Sequence, residues 1–414
     1  MEKDITVQVL YLDMNSYFAS VAQQVEPKLR GRPVGIVTSL HKNAACIAAS
    51  YDAKRAGIRV GTRMEEARAL CPGITFRAAR HDIYVDVHVQ IKAAIQRVLP
   101  INGVHSVDEV SCLLTGAEQH LPNALKLAEA ARQSIYQHAG VALHCSIGLG
   151  SNRLLAKIAG ELHKPSGTDW LTPAVLPYKL THLKLTDLPG ISRRMNERLQ
   201  AAGIMDISAL YALPPRHARA IWRSVEGERF LRALRGEDIP DPVTKSHSFG
   251  HSQVLNGTSR LPDNARLILR RLTVKAATRL RRGGFFATYL HISLKNQHYK
   301  RCNLGVKIPA TQDSFTLLAY MEQLWQQMGA QKLFAVGVML GGLVARQNHI
   351  ADLFEDRAAG TLTPRERLCA SLDALNQRYG RDTVVFGAPP KGMTPYSGAK
   401  IAFGRVPLKI EFKE

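Results

Sequence analysis

The sequence predicts a multidomain α+β protein, on three observations. At 414 residues the chain is too long for one ordinary domain. Strand-like and helix-like runs are mixed through the first 170 residues rather than strictly alternating. Finally, a β-α-β-β-α-β order is compressed into about 100 residues near 248–345, which is the pattern of a split βαβ domain.

The elements follow from periodicity. Residues 7–13 read as a buried strand ending in an acid, Asp13, with further strands at Val34–Thr38 and Ala45–Ala49. Residues 82–99 repeat apolar positions at helical spacing (Ile83, Val87, Ile91, Ile95, Val98) until Pro100 stops them. Val104–Leu114 is strand-like with acids in its middle, 121–138 is an amphipathic helix, and Val141–Leu149 is another strand. Pro173 and Pro177 punctuate a linker at 171–180, and short helices broken by Gly and Pro run from there to about 238. Residues 239–247 read as an exposed tether. Strands at 249–255, 286–295, 302–308 and 333–344 and helices at 262–282 and 313–328 complete the compact block. A further amphipathic helix is predicted over 364–379. The expected organisation is therefore 1–170, 171–238, a linker at 239–247, 248–345, and a tail at 346–414.

Composition narrows the function. Hydrophobic residues make up 45% and charged residues 21%, which suits a soluble globular chain. No run approaches the roughly 20 apolar residues of a membrane span, and the first residues do not form a signal peptide, so a cytoplasmic protein without membrane partners is expected. The six cysteines are scattered and form no CxxC pair, which argues against a disulfide framework or a structural zinc site and fits a reducing compartment. Lys and Arg number 55 against 34 Asp and Glu, a net +21. An excess of that size points to a polyanionic partner, nucleic acid above all.

Asp13 at a strand end and Asp108-Glu109 within Val-His-Ser-Val-Asp-Glu-Val are costly in buried strands unless paired or metal-bound. Oxygen ligands of this kind hold divalent cations, and two such ions serve phosphoryl displacement. On this pattern alone, solvated strand-edge acids are the better-supported reading.

The run Tyr-Leu-Asp-Met-Asn-Ser-Tyr-Phe-Ala-Ser-Val around Asp13 is more specific, and resembles the first motif of the Y-family DNA polymerases, the DinB/UmuC group. Ser106-Val107-Asp108-Glu109-Val110 resembles the second. Three further stretches agree in order: Ala49–Lys54 with Gly57-Ile58, Ser146–Ala159, and Lys164-Pro165-Ser166-Gly167. The resemblance implies a right-hand polymerase with palm, small fingers, a helical thumb and a little finger. It implies two Mg²⁺ ions, with Mn²⁺ as a substitute, held by Asp13, Asp108 and the Met14 carbonyl, with Glu109 completing the acidic cluster. Phe18 would be the steric gate against a ribose 2′-hydroxyl. Tyr17 would lie under the incoming sugar or in the core. Tyr51, Lys54 and Lys164 would meet the triphosphate, as a phenolic donor and two ammonium groups can. This chain departs from the family in carrying Lys54 where Arg is frequent, giving up a bidentate fork, and also in Ala48, Ala22 and Leu113. None of these changes removes a metal ligand.

For the nucleic acid, Leu188-Pro189-Gly190-Ile191 followed by Arg193 and Arg194 is a helix-hairpin-helix signature, whose backbone N–H groups take a phosphate without reading sequence. A weaker copy is expected around Val225-Glu226-Gly227. Residues 248–345 carry 13 Lys/Arg against 3 Asp/Glu. Within the helix at 262–282, Arg271, Lys275, Arg279 and Arg282 form a basic stripe opposite Leu269, Leu272, Ala276 and Leu280, a footprint for a phosphate backbone. His349–Phe354, with Asp352, Leu353 and Phe354, resembles a sliding-clamp peptide, although Ile350 replaces its usual Gln. Lys400–Pro407 resembles the ending of UmuC-type relatives, which implies SOS-type regulatory partners. The expected function is low-fidelity translesion synthesis from dNTPs on primer-template DNA, in a mutator enzyme of the SOS response. The alternatives are a catalytically inactive relative that recruits repair factors, which the retained acids argue against, and a helix-hairpin-helix nuclease. Tyr17-Phe18 and the Tyr51/Lys54 stretch argue against the nuclease.

Overall fold

The computed structural model describes residues 5–41, 44–240, 247–327, 332–349, 362–380, 383–387, 401, 406–407 and 412. The chain divides into two compact units, Met1–Asp241 with Ala399–Lys409, and Pro242–Gly398 with Ile410–Glu414.

The first unit is built in chain order from β1 (Val9–Met14), α1 (Tyr17–Val25), β2 (Val34–Val37), β3 (Cys46–Ala49), α2 (Tyr51–Arg55), α3 (Met64–Leu70), β4 (Thr75–Ala78), α4 (His81–Ile95), β5 (Gly103–Val104), β6 (Glu109–Leu113), α5 (Leu121–His138), β7 (Cys145–Gly150), α6 (Arg153–Leu162) and β8 (Thr168–Leu171). Four short helices follow: α7 (Arg193–Ala201), α8 (Ile207–Ala212), α9 (Pro215–Trp222) and α10 (Val225–Leu234). Its main sheet has the order β5-β6-β1-β7-β8. β1 is central and antiparallel to both β6 and β7.

Side-chain alternation gives β1 two jobs. Leu10, Leu12 and Met14 are buried in one core with Ile91 and Ile95 of α4 and Ala128 and Ile135 of α5. Val9 and Tyr11 turn to the other face, where they pack on Ala156 of α6. Asp13 shares their parity and so belongs to the α6 face. That helix lies unusually close. A β-carbon at Gly148 would stand 1.9 Å from the Ala156 carbonyl oxygen, and one at Gly150 would stand 2.4 Å from the Ala156 nitrogen. Only glycine permits this approach, and it brings the Lys157 side chain within reach of the sheet.

The small sheet β3-β2-β4, with α2 and α3, has its own core of Val37, Ala53, Ile58, Met64 and Phe76. Helices α7–α10 enclose another, built on Leu188, Leu199, Leu210 and Leu231. Gly227 is not a hairpin turn as the sequence suggested. It lies within α10, and its added β-carbon would meet the Ala218 carbonyl of α9 at 2.5 Å, so it serves close helix packing. The strand expected over Val104–Leu114 is also interrupted. It breaks into β5 and β6 around a bend at 105–108, because the chain reverses there to pair with itself.

The second unit runs β9 (Ser248–Val254), α11 (Pro262–Arg282), β10 (Phe285–Asn296), β11 (Arg301–Thr311), α12 (Ser314–Gln326), β12 (Leu333–Ala345) and α13 (Pro364–Tyr379). Its sheet, ordered β11-β10-β12-β9, is antiparallel throughout. Leu290, Ile292 and Leu294 of β10 are buried together with Ile268, Leu272 and Leu280 of α11 and Leu317 and Met321 of α12. The unit extends past 345. Asp373 of α13 receives Arg281 Nε of α11 at 2.6 Å, and the Arg281 side chain is 6% exposed. The linker residues 241–246, the clamp-like Asp352, Leu353 and Phe354, and most of 400–407 lie outside the described residues. Of the last stretch, Ile401 and Val406 pack on the main core of the first unit, and the Ile401 N–H faces His81 Nδ1 at 3.4 Å.

The α6–β7 seam yields a prediction. Gly148→Ala drives a methyl group into helix backbone that cannot move aside, and should destabilise the protein by at least about 3 kcal/mol, more than an ordinary overpacked site. Urea unfolding of the purified variant checks this; a midpoint equal to wild type would mean the helix is not held at that distance.

Candidate active site

The register of the central sheet sets the acids together. Asp13 is the cross-strand partner of Glu109 on β6 and of Ser146 on β7. Asp108 precedes β6 in the bend, and its carbonyl accepts the Met14 N–H at 2.9 Å. Asp13, Asp108 and Glu109, some hundred residues apart in the chain, therefore meet at one end of β1. Met14 ends that strand, its side chain buried and its backbone beside Asp108. Ser106 Oγ donates to the Asp108 carboxylate and accepts the Asp108 N–H at 3.2 Å, which orients the bend. Beneath it, buried His88 of α4 contacts the Val107 carbonyl through Nδ1 at 2.8 Å.

Each outer acid is matched by a lysine. Lys164 Nζ lies 2.9 Å from Asp13 Oδ1 and 2.7 Å from Glu161 Oε1. Lys157 Nζ pairs with Glu109 Oε1 and lies 3.4 Å from Tyr11 Oη. The Lys164 turn is tied to the end of β1 by Asn15, whose Oδ1 accepts the Ser166 N–H at 2.8 Å while its Nδ2 donates to Ser146 Oγ at 2.9 Å.

The charge balance is tense. Burial pushes Asp13 up to about 7, with Glu161 and Asp108 adding to the rise against the pull of Lys164. Asp108 is raised too, by burial first, with Ser106 opposing. Burial works on Glu109 in the same sense, but Lys157, helped by Tyr11 and Asp13, outweighs it and holds the group below the usual carboxylate range. Lys164, despite burial, is raised by Asp13 and Glu161. Carboxyl oxygens gathered this closely are the donor set of a hard divalent cation. Among the described residues, however, no three His, Cys, Asp or Glu side chains close on a single point, and Lys157 and Lys164 each engage one of the acids. The donors fit such an ion in kind, and the two ammonium groups supply positive charge to the same acids.

The remaining candidates surround this centre. Phe18, on α1, is partly buried and stacks on Tyr84 with ring centroids 4.2 Å apart and planes at 12°, while His81 meets it edge-on at 5.9 Å. Tyr17 takes the core of the two places open to it. Only 3% of it is exposed, and its hydroxyl donates to the Tyr84 carbonyl at 2.6 Å. Ser50 caps α2, so that Tyr51 and Lys54 project from a single turn with Lys54 Nζ 4.4 Å from the Tyr51 ring centroid. Burial lowers Lys54, and the charges of Lys164 and Arg59 lower it further; burial also raises Tyr51, which feels Lys164 and Asp13. Lys54 and Tyr51 thus sit side by side on one turn, in the electrostatic field of Lys164. Motif matching assigned no role to Lys157, Glu161, Asn15 or Tyr84. The legible signal for Lys157 was a single ammonium group within the apolar run Leu-Leu-Ala-Lys-Ile-Ala.

The nucleic-acid candidates are placed less uniformly. Gly190 adopts φ +90° with open space around it, and α7 begins three residues later with Arg193 and Arg194 exposed. On α11, Arg271, Lys275 and Arg279 are half-buried and only Arg282 is exposed. Arg279 turns toward β9, with Nη1 3.2 Å from His251 Nε2. The sheet face that the helices leave uncovered carries Tyr289, His291, Lys295, Arg301 and Lys307, a surface that helical periodicity could not reveal.

Residues 12–161 match the impB/mucB/samB family and residues 246–353 match the C-terminal domain of that family. The DNA polymerase IV of Moorella thermoacetica is 32% identical over 387 residues, covering 91% of this chain and 94% of the relative. That of Pelotomaculum thermopropionicum is 28% identical, covering 96% and 99%. A solved Y-family DNA polymerase chimera superposes with a TM-score of 0.68 at 19% identity, over 82% of this chain and 99% of its own, a likeness of fold. With both domains matched in order and nearly the whole length shared, the chain belongs to the impB/mucB/samB family, the Y-family DNA polymerases.

Proposed function

We propose that this chain is a template-directed DNA polymerase carrying out translesion synthesis: the primer 3′-hydroxyl oxygen bonds to the α-phosphorus of a dNTP as the bond to the β-phosphate breaks and pyrophosphate leaves. The observation that carries this reading is the convergence of Asp13, Asp108 and Glu109 at the end of β1, beside a cluster of Tyr51, Lys54 and Lys164. The acids would hold two Mg²⁺ ions, or Mn²⁺ in their place, with the Met14 carbonyl assisting. Such ions, when bound, lower the energy of charge developing on the attacking and leaving oxygens. Lys54, Lys164 and the Tyr51 hydroxyl would neutralise and orient the triphosphate. Phe18, backed by the Tyr84 ring, would exclude a 2′-hydroxyl. Residues 1–170 would act as palm and fingers, 171–238 as thumb and 248–345 as little finger, with Gly190, Arg193, Arg194 and the basic groups of the second unit on primer-template DNA. Clamp and SOS-type partners, through Asp352–Phe354 and the end of the chain, belong to the same reading. An inactive scaffold has no such use for three partly buried carboxylates, each costly to keep.

Primer extension tests the proposal. Asp108→Ala should lower the rate roughly a thousandfold, the several kcal/mol of transition-state charge stabilisation at stake, while DNA affinity persists; equal rates for the two proteins would remove the polymerase reading. Phe18→Ala should cut discrimination against ribonucleotides by about ten- to a hundredfold, the range for one reshaped apolar contact. Unchanged sugar selectivity would take Phe18 out of the gate.

The raised Asp13 also makes stability depend on pH. Its folded value of about 7 exceeds the ordinary carboxyl value, so in chelator its contribution is most favourable at low pH and is lost as pH rises through about 7. Asp13→Asn should therefore melt above wild type at pH 8 in EDTA, and the gain should vanish by about pH 4, near the ordinary Asp value. A gain independent of pH would show that ionisation of Asp13 is not the cause.

A further inference from the structure

The turn between β10 and β11 places an aromatic residue at a left-handed backbone position. The Tyr299 N–H donates to the Asn296 carbonyl at 3.1 Å, and the Asn296 N–H donates to the Lys300 carbonyl at 3.0 Å. This closes a tight hairpin and leaves Tyr299 at φ +61°. Turns of this shape reserve that left-handed position for Gly or Asn, because a β-carbon is crowded there. A bulky aromatic at a strained position points to a use for its side chain.

The surroundings narrow that use. Phe334 lies 4.9 Å from the Tyr299 ring, and Lys295 Nζ sits 4.6 Å from the Tyr299 centroid and 5.3 Å from that of Phe334. Arg260 lies 5.5 Å from the Phe334 centroid. Tyr299 is nevertheless 63% exposed. Lys295 and Arg301 are direct cross-strand partners, a like-charge pairing that destabilises a sheet unless an anion joins it. Lys300 and Arg301 are exposed. Among the described residues no carboxylate makes an ion pair with Lys295, Lys300 or Arg301.

We propose that this hairpin tip is a binding site for unpaired, single-stranded DNA, with a base stacking on Tyr299 and neighbouring phosphates held by Lys295, Lys300 and Arg301. Duplex DNA answers the charge but keeps its base faces covered, whereas an unpaired strand offers both groups that the tip recognises. The inference rests on the polymerase reading only for the source of the strand, a template not yet copied. Binding is therefore measured without metal or nucleotide, so that its failure and a failure of catalysis are distinguishable.

The test is fluorescence anisotropy of the full chain in EDTA with a labelled thymidine 20-mer, a blunt duplex of equal length, and a strand in which abasic sites replace the bases. Tyr299→Asn keeps a residue that tolerates the left-handed turn while removing the ring. It should weaken single-strand binding about tenfold, the range for one stacked base, change duplex binding less than twofold, and leave the abasic strand unaffected. Tyr299→Phe should bind as wild type. Combined Lys295→Gln and Arg301→Gln should flatten the slope of log affinity against log salt on the single strand by about 1.4, for two released phosphate contacts. The proposal is overturned if Tyr299→Asn binds the single strand as tightly as wild type, loses strand and duplex by the same factor, or affects the abasic strand equally.

Discussion

The cost of crowding carboxyl groups at a strand end governs the rest of the catalytic unit. Asp13 and Glu109 face each other across one ladder step, with Asp108 beside them, all largely withdrawn from water. Such a group survives burial only if positive charge is supplied locally. Two devices supply it here. Close passage of α6 over Gly148 and Gly150 carries Lys157 to Glu109, and the turn after α6, fastened by Asn15, carries Lys164 to Asp13. Both lysines lie within or just after one helix, so a single packing contact sets the electrostatics on both sides of the acids.

The same helix separates two functions of the sheet. The face of β1 bearing Leu10, Leu12 and Met14 is ordinary core against α4 and α5. The opposite face is thin, with Val9, Tyr11 and Ala156 for its apolar packing. Chemistry is thus placed on the side where the helix is held by backbone proximity rather than by large side chains. Tyr11 completes that side: its ring stacks on His105 at 5.3 Å, and its hydroxyl is raised by burial and by Glu109, so it stays a donor toward the acids.

Much of this was legible in the residues, for physical reasons. The long amphipathic helices at 121–138, 262–282 and 364–379 end where caps and breakers place them, and the α+β architecture and family membership follow from the ordered motifs. Asp13 and Glu109 stand in separate motifs, and their pairing across β1 and β6 is a matter of sheet register that neither motif encodes alone. Asp108 was expected within a strand and lies in a bend, since alternation cannot show where a hairpin turns. Gly227 looks like a turn in the sequence because a glycine needed for close packing is indistinguishable there from one needed for φ > 0. The stripe on α11 illustrates a third limit. Helical spacing identifies a common face, but three of its four cations are half-buried, and Arg279 is directed at its own sheet. The roles of Lys157 and Asn15 depend on contacts more than 40 residues apart in the chain, which no local pattern encodes.

The clasp between Arg281 and Asp373 bears on where the second unit ends. Arg281 is buried and also donates to the Gln312 carbonyl and Ser314 Oγ at 2.7 and 2.9 Å, so it joins α11, the start of α12 and α13 at one point. A chain truncated after the last strand would strand that guanidinium in the interior without its counter-charge, a loss larger than that of a surface ion pair. The terminal helix is therefore an integral wall of the unit rather than an appendage.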